Sequence, residues 1–232
     1  MQIPVTAYQA GLGPRELRVL RPAGPALRAT LRYDGRDYAM LATSGAALRI
    51  AAFWEMAARS RHTLVHLPVR GDGTAPPSWH AFATAGRGLD LLLAPRALAF
   101  PGHEWKALRS RLGPGRASTY SLPDPVLDPP ADAAPAEIWN RESTHRLDLT
   151  VHAETLIASG DRAALRYARD LFTHVGRGSL EPDRTSGPGY LGNEIHASDR
   201  VLRRHEAGIY LYIPRDRYWV TAQAGTAEVS DR

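Results

Sequence analysis

The sequence predicts an α+β protein with antiparallel-rich sheets and three principal helices. Three observations carry that expectation: short runs with period-two alternation, segments with helical apolar spacing, and the order strands, helix, strands in each half of the chain. The shared order suggests two similar α+β halves, although no residue-level repeat accompanies it.

Leu27, Ala29, Leu31 and Tyr33 alternate with Arg28, Thr30 and Arg32, and Asp34-Gly35 precedes a second run through Leu41. Asp-Gly between alternating runs is the strongest short-range hairpin signal. Ser44 is the expected N-cap of a helix running to about Arg61. Its Leu48, Ala51, Ala52, Phe53, Met56 and Ala57 leave little polar surface, so this helix should be central. His62 to Val69 reads as a strand, and Leu89 to Ala94, with leucine at 91, 92 and 93, as a strand buried on both faces. Trp105, Leu108 and Leu112 share one face of a short helix, with Gly113-Pro114 as a left-handed stop.

Pro123 to Ala136 carries five prolines, three aspartates and no basic residue. Proline fixes φ and removes a donor, so neither a helix nor a central strand can continue through it. The expected organisation is therefore a basic α+β half at 1–120, an acidic Pro-rich linker or loop at 121–142, and an α+β half at 143–232 that ends in an aromatic hairpin.

In that last part His145 to Leu156 reads as one half-buried strand, with Leu147, Leu149, Val151 and Ala153 on one face and Arg146, Asp148, Thr150, His152 and Glu154 on the other. Ser159 is the expected cap of a helix through Val175, built on Leu165, Ala168, Leu171, Phe172 and Val175 and ended by Gly176. Ser179 to Gly192 reads as a loop. Ile209 to Ile213, a turn at Pro214 to Arg217, and Tyr218 to Ala224 complete the expected terminal hairpin.

Composition excludes whole classes of chemistry. Lys106 is the only lysine among 29 basic residues, and it lies in neither a phosphate-binding loop nor a kinase-type strand motif. A Schiff-base enzyme would have to use that one lysine. Without cysteine there is no thiolate nucleophile, no zinc-cysteine site, no iron-sulfur cluster and no disulfide. No run of 18 apolar residues occurs and no secretory leader is apparent, so a cytoplasmic protein without a membrane anchor is expected.

Charge is unevenly placed. Residues 1–120 hold 16 basic and 7 acidic side chains, 121–142 hold one and five, and 143–232 hold twelve of each. A basic first half can attract nucleic acid, an acidic protein or an anionic ligand. Arginine suits phosphate and carboxylate because its planar fork donates in pairs.

Among the nine histidines neither His-Glu-x-x-His nor His-x-His occurs, and His62 and His66 lack a third ligand nearby, so no metal is expected. Asp148, His152 and Glu154, with Thr150 between them, would place two carboxylates and an imidazole on one strand face, the pattern a general base needs. A solvent-facing polar row gives the same alternation. In the terminal hairpin Tyr210 and Tyr212 share a face and Arg215, Arg217 and Trp219 crowd the turn, a composition enriched at contact surfaces. Arg162, Arg166 and Arg169 read as a solvated helix face.

No enzyme signature is complete and no cofactor is implied. The leading expectation is a non-catalytic partner-binding protein, immunity-like, antitoxin-like or accessory, whose partner is another protein. The alternatives are nucleic-acid binding through the basic first half, and a hydrolase centred on His152 with Asp148 or Glu154.

Overall fold

The computed structural model describes residues 1–71, 86–123, 145–177, 190–195 and 208–214. The strands are β1 (Gln2–Leu12), β2 (Arg15–Pro22), β3 (Ala29–Tyr33), β4 (Tyr38–Ala42), β5 (Thr63–Leu67), β6 (Arg87–Pro95), β7 (Arg116–Ser121), β8 (Leu147–His152), β9 (Thr155–Gly160), β10 (Tyr190–Ile195) and β11 (Ile209–Pro214). The helices are α1 (Ser44–Arg59), α2 (Trp105–Ser110) and α3 (Arg162–Arg177). The fold is α+β, with the strands joined in one 11-stranded mixed sheet. Most neighbours are antiparallel; β4 with β11, β2 with β5 and β6 with β9 are parallel.

Two of those parallel pairs cross between the first and last parts of the chain. Leu91 sits beside Leu156 in β6 and β9, and Met40 beside Leu211 in β4 and β11. Helices α1 and α3 pack on each other as well, α1 over β4, β5 and β6 and α3 over β9, β10 and β11. The described strands therefore share one sheet, with α1 and α3 as one helical layer on it.

Alternation along the strands divides the interior in two. Leu31, Met40, Val65, Leu67, Leu91, Leu93, Leu156 and Ala158 face α1 and α3, where Phe53, Trp54, Met56 and Phe172 complete the larger core. Leu17, Val19, Leu64, Leu92 and Ile157 face the other way, beneath Trp105 and Leu108 of α2 and Phe100. Helix α1 is apolar around nearly its whole circumference, which a helix tolerates only when covered on all sides. Removing one such large side chain, Phe53 for instance, costs about 3–5 kcal/mol through lost transfer energy and the cavity left behind.

Several expectations are corrected in detail. Thr43, not Ser44, caps α1: its backbone is extended and its hydroxyl accepts from the Ala46 amide at 3.2 Å. The helix ends at Arg59. Asp161 rather than Ser159 caps α3, accepting from the amides of Ala163 and Ala164 at 3.0 Å, while Ser159 belongs to β9. Helix α2 stops with Arg111 still right-handed, ahead of Gly113, which is not among the described glycines with positive φ. Gly176 lies inside the last turn of α3, where a Cβ would meet Leu48 Cγ of α1 at 2.9 Å. Close helix approach, rather than helix termination, requires glycine there.

The largest correction concerns His145 to Leu156, which is a hairpin and not one strand. Ala153 and Glu154 take positive φ (48° and 59°), and His152 pairs with Thr155 across the turn. Positive φ at both central residues gives a turn whose twist matches that of the flanking strands. The end of the expected Ser179 to Gly192 loop is instead the start of a strand, Tyr190–Ile195, antiparallel to β11. Most of the proline segment and the second strand of the expected terminal hairpin lie outside the described residues.

Candidate functional site

The residues expected to form a general-base row do not converge. Asp148 and His152 are four positions apart on β8, about 13 Å along an extended strand, and Glu154 stands in the turn beyond them. Asp148 accepts from the Arg96 guanidinium at 2.7 Å and Glu154 from that of Arg70. His152 packs over Gly102, where a Cβ would stand 2.7 Å from its Cδ2. Both carboxylates thus bind arginines of the first half, and the polar row works as an electrostatic seam between β8, the β8–β9 turn and the elements beside them.

Tyr210 and Tyr212 do share a face of β11. Their rings stack at 6.3 Å with 11° between planes, both half-buried, while Ile209 and Leu211 fill the core behind them. Because β11 lies between β10 and β4, this is an interior strand of the sheet and not an edge. Arg215, Arg217 and Trp219 lie outside the described residues.

The row Arg162, Arg166, Arg169 is only partly a solvated face. Glu55 of α1 is fully buried, and Arg166 and Arg169 reach across from α3 to bind it at 2.7–3.2 Å, joined by Arg59 at 2.8 Å. Burial opposes ionisation of Glu55, but the guanidinium hydrogen bonds outweigh it and hold the carboxyl below its ordinary range. Arg169 also binds Asp170, whose carboxyl burial pushes above its ordinary range.

Sequence reasoning missed a second buried polar group. His66 on β5 is 3% exposed, with its Nε2 3.6 Å from Asp90 Oδ2 on β6, too long for a hydrogen bond. Arg109 of α2 approaches the same Asp90 oxygen at 3.8 Å, and the Arg70 amide donates to Oδ1 at 3.2 Å. Trp105 lies against the imidazole at 5.0 Å between ring centroids and donates its Nε1–H to Thr155 at 3.0 Å. Burial, with Arg21 and Arg109 nearby, pushes the His66 pKa below its ordinary value. Asp90 stays ionised despite its burial because it faces the imidazole and the Arg70 amide. Neither ring nitrogen of His66 has a hydrogen-bond partner among the described residues. Alternation showed only that His66 shares a face with His62; the element that would cover that face was not legible.

The first-half cations divide into two sets. Arg15, Arg36, Arg59, Arg70, Arg96 and Arg109 face carboxylates, Arg32, Arg49 and Arg111 bind backbone carbonyls, and Arg21 lies over the Tyr8 ring at 5.0 Å. Arg18, Arg28, Arg61, Arg87, Lys106 and Arg116 are exposed and have no such partner among the described residues. Met1 is the one exposed large hydrophobic side chain among the described residues. Among these residues no helix is long and apolar enough to cross a membrane. Comparison with known proteins gives no relative: no family model, no curated protein and no solved structure matches this chain.

Proposed function

We propose that this is a non-catalytic binding protein whose partner is polyanionic, with nucleic acid as the class that fits best. One observation carries the reading: six exposed cations of the first half have no partner among the described residues, while the carboxylates of the expected catalytic row are already bound to arginines. Free arginines can each take a phosphate in a paired hydrogen bond, whereas a docked protein ordinarily needs an apolar anchor at the centre of its footprint. The described surface offers only Met1 as a large exposed apolar side chain.

The test is binding of labelled oligonucleotides to the full chain as a function of salt. Neutralised phosphates release counterions, so affinity should fall steeply and log-linearly between 50 and 200 mM salt, by about tenfold or more for a few contacts. Absence of binding at the lowest salt would remove the reading. A protein partner, the second reading, is favoured by the stacked Tyr210–Tyr212 pair, and it requires that Tyr212→Ala weaken binding of that partner without loss of fold.

We also infer that the chain is built from two similar halves. Hairpin, 16-residue helix and antiparallel strand pair occur as β3–β4–α1–β5–β6 and as β8–β9–α3–β10–β11. Exchanging the halves turns the parallel pair β4–β11 into the parallel pair β9–β6, as an approximate twofold would require. The strands β1, β2 and β7 have no counterpart in that plan, which supports their being an addition to it.

A further inference from the structure

We infer that the helix-side face of the β2–β1–β7 wing is the seat of a single-stranded nucleic acid, with Arg18 and Arg116 on its phosphates. This rests on the polyanion reading above and specifies where the partner lies and what form it takes. Register places the residues. Arg18 of β2 lies opposite Gln9 of β1, and Arg116 of β7 opposite Ala7, two positions along the same strand. Leu20, Val5, Ile3 and Tyr120 point into the core shared with α1 and α3, so by alternation Arg18, Gln9, Ala7, Arg116 and Ser118 project on that same side. The two arginine Cα atoms are thus about 12 Å apart, two strand spacings across and two residues along.

Helices α1 and α3 lie over the middle and far strands of the sheet, and Arg18 and Arg116 are exposed beyond them. Arg61, also exposed, precedes β5 by two residues, and Thr63 of β5 pairs with Arg18. Within the three strands Glu16 is the one carboxylate, on the same face two residues from Arg18, so the face is net positive. Beside the arginines stand an amide and a hydroxyl, Gln9 opposite Arg18 and Ser118 two residues past Arg116 on β7, which can hydrogen-bond to phosphate or sugar. A duplex is read by an element inserted into a groove, whereas Arg18, Gln9 and Arg116 stand at the open end of a sheet face whose other end is closed by the core; such a ledge suits a single strand laid along it.

The experiment measures anisotropy of labelled 20-nucleotide single strands of DNA and RNA, and of the matching duplex, against the full chain. The variants are Arg18→Glu/Arg116→Glu, the control Arg36→Glu/Arg162→Glu with the same change of charge at exposed positions outside the six first-half cations, and Glu16→Gln. Single-strand affinity should fall about tenfold or more in the wing variant and no more than about threefold in the control, and it should rise about twofold in Glu16→Gln. Equal losses in the two double variants would mean that net charge alone binds the probe, overturning this seat and leaving the polyanion reading in place. Tighter binding of duplex than of either single strand would overturn the proposed occupant. No binding of any probe by the unsubstituted chain would overturn both readings. Urea denaturation of each variant confirms its fold, and Arg18→Gln/Arg116→Gln replaces the glutamate pair should that pair fail to fold.

Discussion

Between α1 and α3 three guanidiniums converge on the buried carboxylate of Glu55, whereas on the β2–β1–β7 wing Arg18 and Arg116 face solvent with no acid bound to them among the described residues. The residue type is the same and the setting decides its role. Where a carboxylate is buried, charge must be neutralised on the spot, and arginine does so with its fork of donors. On an open strand the same side chain keeps its hydration, contributes little to stability and is free for a ligand. The helix pair therefore commits its arginines to folding, and the wing leaves Arg18 and Arg116 in solvent.

Removal of Glu55 should have the largest effect. Glu55→Ala should destabilise the chain by about 3 kcal/mol in urea denaturation, the low end for breaking a buried pair because Arg59 and Arg166 can turn partly to water. Arg18→Glu on the wing should change stability by no more than about 0.5 kcal/mol. Equal effects at the two sites would abolish the distinction.

Acid should act through His66. Its folded pKa is below the ordinary value, so as pH falls below about 6.5 the unfolded chain takes up a proton that the folded chain resists. Stability should be full above that pH and decline as the pH drops toward the depressed folded value. The groups facing the imidazole are Asp90, which favours its charged form, and Arg21 and Arg109, which oppose it. Urea midpoints at pH 7.5 and 5.5 should differ in the unsubstituted chain and converge in His66→Phe. A midpoint that rises on acidification would contradict the assignment.

Thr43→Ala should cost about 1 kcal/mol through loss of the α1 cap, while Ser44→Ala should cost much less. Ala99, exposed and left-handed at φ 46°, should accept glycine with a gain of about 0.5 kcal/mol, read as a raised melting temperature.

The parts that were legible in the sequence are those where local pattern and final structure agree. The β3–β4 hairpin carries its Asp-Gly turn, α1 its apolar girdle, and β6 its leucine run. The β8–β9 turn was hidden because Ala153 and Glu154 keep the alternation in phase while reversing the chain, and neither is a residue that advertises positive φ. Strand β7, Arg-Ala-Ser-Thr-Tyr-Ser, has no apolar face to read because it is an exposed edge. The fate of each arginine was not legible at all. Arg166 and Arg18 have similar sequence surroundings, and only the distant Glu55 separates them.

The pairing of β4 with β11 and of β6 with β9 has a consequence for synthesis. A ribosome adds residues at about 5–20 per second, and the first half emerges long before β9 and β11 exist. Until then β4 and β6 lack partners on which their final sheet depends, and α1 lacks the face of α3 that it buries. Contacts so distant in sequence slow folding, because the closure of a long loop precedes any reward. The sheet around the first half therefore stays incomplete until β11 has left the ribosome.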